Sequence, residues 1–155
     1  MIRRTVAAIA LIHASFALPA SAQKLPAFYV FGEDDIEGHR DCSLTHVSAT
    51  AAVQAAFRYN NAPVASKLGE GIHAYINLTP AKLNTGVCIL AWDLEFSEPV
   101  QARSFVTAQT HNAKAIYCSQ GGLLWGPAVG LQARVNEELR QAVDQCISTF
   151  LTTYK

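Results

Sequence analysis

Cys88-Ile89-Leu90-Ala91-Trp92-Asp93-Leu94-Glu95-Phe96-Ser97 carries the clearest pattern in the chain. Cys88, Leu90, Trp92, Leu94 and Phe96 fall on one side, and Asp93, Glu95 and Ser97 on the other. Successive side chains of a strand point to opposite faces, so this period of two reads as a strand buried on one face and wet on the other. Pro99, which has no N–H to donate to a ladder, is expected to end it. Upstream, Ile72, Ala74, Ile76 and Leu78 alternate with His73, Tyr75, Asn77 and Thr79, predicting a second strand of the same kind. Pro80 and Asn84-Thr85-Gly86 make the turn between the two. Downstream, Ser104 to Cys118 predicts a third strand, less cleanly patterned and bulged near His111-Asn112. Short connections make the three an antiparallel meander.

Two helices and a further strand complete the pattern. Ala27-Phe28-Tyr29-Val30-Phe31, closed by Gly32, predicts a short first strand. An acidic loop from Glu33 to Asp41 follows, with Asp41 or Ser43 as the N-cap of a helix from about Ser43 to Tyr59. Leu44, Val47, Ala51 and Ala55 recur there at helical spacing, and Asn60-Asn61-Ala62-Pro63 stops the run. Ser119 to Pro127 reads as an apolar loop, and Pro127 suits the first turn of a last helix. On that helix Val135, Leu139, Val143, Cys146, Ile147, Phe150 and Tyr154 form one stripe, with Arg134/Glu138 and Arg140/Asp144 as opposite-charge pairs outside. The order β-α-β-β-β-α predicts an α+β fold: a three- to four-stranded antiparallel sheet with two helices packed on one face.

The 155 residues are half hydrophobic and 15% charged, which excludes a disordered chain. Residues 1–22 read as a cleaved export signal. Arg3 and Arg4 precede an uncharged apolar run from Val6 to Leu18, and Ala20-Ser21-Ala22 supplies the small residues of a cleavage site. The run is too short to cross a bilayer of roughly 30 Å. Residues 23–155 are then one exported domain, periplasmic or secreted, with no membrane span. Losing Arg3 and Arg4 leaves ten basic against twelve acidic residues, a balance of −2 that argues against nucleic acid or an anionic membrane as partner.

Cys42, Cys88, Cys118 and Cys146 remain in that domain. Four cysteines in an oxidising compartment read as two disulfides, in any of three connectivities. No C-x-x-C for thiol exchange or zinc and no C-x-x-C-H for haem occurs, so no cofactor and no metal is expected.

Three groupings invite a chemical reading. Cys42 before a helix with His46 one turn on has the parts of an activated thiol; the bland reading, a structural cystine beside an ordinary histidine, is preferred. Glu33-Asp34-Asp35-Ile36-Glu37 with Asp41 is rich in oxygen ligands but lacks the alternation and glycine of a calcium loop. His73 with Asp93 or Glu95 would form an acid–base pair if the strand registers brought them together. No serine-nucleophile elbow and no phosphate loop is present. Trp125, within the Leu123-Leu124-Trp125 tract, is expected to fold over the core as part of a lid, the competing reading being an anchor for a partner.

With no catalytic set complete, the expectation is a non-catalytic binding or accessory protein of the cell envelope. Its contact surface would be the open strand face, with His73, Tyr75, Asn77, Asp93 and Glu95, or the loop that carries Trp125; its partner is an envelope protein or small ligand. The alternative is a small exported hydrolase using His73 with Asp93 or Glu95, or Cys42 with His46.

Overall fold

The computed structural model describes residues 24–33 and 37–153. The proposed signal, Asp34 to Ile36 of the acidic stretch, and Tyr154 lie outside them. The elements are β1 (Phe28–Gly32), α1 (Glu37–Asp41), α2 (His46–Tyr59), β2 (Ile72–Lys82), β3 (Val87–Arg103), β4 (Thr110–Pro127) and α3 (Leu131–Thr153). The strands form one sheet in the order β1-β2-β3-β4. The fold is α+β and carries two disulfides, Cys42–Cys88 and Cys118–Cys146.

The core follows from the alternation. Phe28 and Val30 of β1, Ile72 to Leu78 at every second position of β2, and Cys88 to Phe96 at every second position of β3 are all buried. They share one cluster with Ala49, Val53 and Phe57 of α2 and with Val135, Leu139, Val143 and Ile147 of α3. At its centre the Phe28 and Phe57 rings stack with centroids 4.3 Å apart, and Phe96 tilts against both at 5.1 and 5.4 Å. Aromatic pairs at such distances add to the area term that removes them from water.

Several boundaries depart from the sequence reading. β2, β3 and β4 pair antiparallel, but β1 runs parallel to β2, with Tyr29 level with His73 and Phe31 with Tyr75. The chain between them passes through α1 and α2, the helical crossover that a parallel pair requires. The cap of α2 is Thr45, whose hydroxyl accepts from the Ser48 N–H, and neither Asp41 nor Ser43. Asp41 ends α1 and Ser43 lies in the corner after it, where Ser43 takes a φ of +55° and the Leu44 N–H bonds the His39 carbonyl at 2.8 Å. The Cys42 bridge to β3 and the burial of Leu44 hold that corner.

Pro99 does not end β3, which runs on to Arg103. β2 leaves β3 at Ser97, so beyond it only β4 is bonded, and a missing donor on a free edge breaks no ladder. Residues 104–109 are the turn of this long hairpin, and Ser119–Pro127 belongs to β4 as strand, not lid. Glycine there answers to packing: a Cβ on Gly122 would lie 2.9 Å from the Trp92 indole nitrogen. The bulge sits at Phe96/Ser97 opposite Tyr117, not at His111-Asn112. Pro127 closes β4, and α3 begins at Leu131 after Gly130 at φ +87°. On α3, Arg134 donates to the Trp125 carbonyl at 2.9 Å and Arg140 pairs with Glu137 at 3.2 Å, while Asp144 accepts from Asn60.

Candidate functional site

The side of the sheet opposite the core is built from the odd-numbered positions of β1, β2 and the first part of β3. Register sets their neighbours: Tyr29 and Phe31 lie beside His73 and Tyr75, Tyr75 opposite Glu95, Asn77 opposite Asp93, and His73 opposite Ser97. β4 continues the rows, with Ser119 beside Glu95, Gly121 beside Asp93, Leu123 beside Ala91 and Trp125 beside Ile89.

The β1–β2 end of this face is a cluster of rings. His73 meets Phe31 edge-on at 5.7 Å and Tyr29 at 6.3 Å, and Phe31 lies 5.3 Å from Tyr75. All four are half-buried. Carboxylates flank them. The Tyr75 hydroxyl donates to Glu33 at 2.6 Å. Burial, that hydrogen bond and the charges of Glu33, Asp93 and Glu95 together push the Tyr75 hydroxyl up to about 12. Glu95 is partly buried, which opposes ionisation, but hydrogen bonds from Lys114 and Ser97 and the Lys114 charge outweigh this and hold its carboxyl below the usual range. The Lys114 ammonium stands 2.8 Å from Glu95 Oε1. Asp93 is exposed, and its Oδ1 rests where a Gly121 side chain would be, 2.6 Å from that Cβ position.

The far corner is apolar. Trp125 is 65% exposed and Leu123 59%, so the tryptophan lies on the open face rather than over the core. The six residues singled out from sequence are therefore on one surface, but not at one point.

This layout bears on the hydrolase alternative. His73 is level with Ser97, and Asp93 is four residues along, roughly 14 Å away at about 3.4 Å per residue. Glu95 is diagonal to His73 and engaged by Lys114. The His73 Nε2 is enclosed without a hydrogen-bond partner among the described residues. General acid–base work needs hydrogen-bond reach; this register puts Asp93 beyond it, and Glu95 spends its carboxylate on Lys114. The other version loses its nucleophile, because Cys42 is bonded to Cys88. His46 instead lies 4.8 Å from the fully buried His39, whose Nε2 bonds the Leu78 carbonyl at 2.9 Å.

Tyr29, Phe31, Glu33 and Lys114 belong to this face and were not singled out from sequence. The first three continue one alternation through β1, a visible signal whose neighbour strand was unknown. Lys114 was hidden by the bulge at Tyr117, which changes the parity of β4. A second hollow lies between α2 and α3, floored by Ala55 and Ala56 and walled by Tyr59, Arg140 and Asp144. Its charged groups are spent on one another and on Asn60.

Among the described residues no helix is long and apolar enough to cross a membrane. No protein-family model matches the chain, and no curated protein matches it in sequence.

Proposed function

We propose that the protein is a non-catalytic binding or accessory module of the cell envelope, exported by its first 22 residues, whose contact surface is the outer face of the sheet. The observation that carries this reading is the half-exposed row of Tyr29, Phe31, His73 and Tyr75, flanked by Glu33, Asp93 and Glu95. Monomeric proteins rarely leave such rings contiguous at the surface without a use for them. Aromatic side chains supply large contact area with few torsions to freeze, which suits a binding surface. The disulfides support export, since such bonds persist in oxidising compartments.

The test places a photo-crosslinking residue at Asn77, Asp93 or Trp125 in the tagged protein within its own cells, with controls on the exposed side of α3. Adducts are expected from the outer-face positions only, from material released by opening the envelope, and lost in a Tyr75→Ala/Trp125→Ala variant. Absence of adducts from that face, or equal adducts from α3, defeats the reading.

A further inference from the structure

We propose that the outer face of the sheet seats a partner protein's helix that is apolar at both ends and basic in the middle, with its lysines and arginines over Asp93 and Glu95. This deepens the reading above and rests on it for the choice of surface. The face has three zones: the rings of Tyr29, Phe31, His73 and Tyr75 at one end, the apolar corner of Leu123 and Trp125 at the other, and Asn77, Asp93 and Glu95 between. An occupant matching it is apolar at both ends and polar in the middle.

Charge fixes the sign of that middle. Among the described residues, Glu33, Asp93 and Glu95 share the face with the Lys114 ammonium, already paired with Glu95. Carboxylates outnumber the cation among these residues, and that excess of negative charge favours a cationic partner. The aromatic end adds to this, since lysine and arginine are attracted to ring faces.

Span fixes the form. Phe31 is level with Tyr75, and Trp125 is opposite Ile89. The two rings are thus three strand spacings and six residues apart, roughly 25 Å on the diagonal. A helix of about 17 residues covers that length at 1.5 Å per residue. An extended segment crossing the strands would meet side chains where its own N–H and C=O groups need partners, whereas a helix satisfies them internally. Such a helix would add a third layer to the helix and sheet layers already present.

The test titrates two synthetic helical peptides of 18 residues into the purified disulfide-bonded protein and follows backbone amide shifts. One has leucine and tryptophan at both ends and lysine and arginine between; the other replaces those cations with glutamate. The cationic peptide is expected to bind at least about ten-fold tighter, with shifts confined to outer-face positions of β1 to β4. Asp93→Asn with Glu95→Gln should abolish that preference while leaving the thermal melt in place, and added salt should reduce it. Equal affinity for both peptides, binding of neither, or shifts centred on the α2–α3 groove would overturn the proposal. So would a dimer in sedimentation that buries the same residues, which gives the face to a second copy. An acidic protein crosslinked through Asn77 would also sink it, and would leave the function proposed above standing.

Discussion

β3 and β4 pair along their whole length, yet the two halves of their hairpin have little else in common. From Cys88 to Phe96, β3 has β2 on one side, β4 on the other and the core beneath, and every second residue is buried. From Pro99 to Arg103 it has only β4, and most residues of both strands are exposed. At the turn Phe105 and Val106 stand fully in water, at 106% and 94% exposure. The proximal half is held by burial, about 25 cal/mol for each Å² of apolar surface removed from water. The distal half is a two-stranded ribbon, marginal by itself and dependent on the body for its register. Hydrogen-bonded strand and stabilising strand are therefore different quantities in this molecule.

Phe96→Ala tests that contrast at its strongest. It removes a fully buried ring that touches Phe28 and Phe57, and should cost about 3–5 kcal/mol in a urea titration. A loss below about 1 kcal/mol would mean that the proximal half is not the anchor. Next comes Cys118→Ala with Cys146→Ala, which unties the middle of β4, where the two halves meet, from α3. With a sequence separation of 28, the loss should be about 2–4 kcal/mol, and hydrogen exchange should rise along β4 more than along β2.

Smaller again is the alkaline response of Tyr75, which lies beside the proximal half. Its hydroxyl is raised from 10 to about 12 by burial, then by the bond to Glu33 and the neighbouring carboxylates. A raised folded value means that this contribution to stability is complete below 10 and lost as pH rises through about 12. Ultraviolet titration of phenolate should find a late-ionising component that Tyr75→Phe removes, and Glu33→Gln should bring it down towards 10. The smallest effect is expected at the ribbon tip. Phe105→Ser should change stability by no more than about 0.5 kcal/mol, and a larger loss would reveal a contact for the distal half.

The same contrast decides what the sequence could disclose. The Trp92-Asp93-Leu94-Glu95 alternation is legible because one side of it meets the core and the other meets water. Val100 to Arg103 and Thr110 to Ala113 meet water on most sides, so no hydrophobic period marks them as strand, and Pro99 looked like a stop. Gly121 and Gly122 read as a loop because their use is to admit the Asp93 carboxylate and the Trp92 indole, a requirement that only the paired strand reveals. The direction of β1 was not written in β1 at all. It follows from α1 and α2 carrying the chain back to the starting end of the sheet. The face residues His73, Tyr75, Asn77, Asp93 and Glu95 were readable from parity alone, but their separations were not, because separation is a property of register.

The order of the two bridges has a consequence for how the molecule is made. Cys42 joins Cys88 and Cys118 joins Cys146, so neither covalent loop encloses or overlaps the other. Any chain that leaves a ribosome or a pore amino end first presents its cysteines in that sequence. An oxidant that simply couples each newly exposed thiol to the last unpaired one arrives at the native pairing without reshuffling. The first bond can close while the carboxyl-terminal part is still unmade, and the second need wait only for the final helix to arrive.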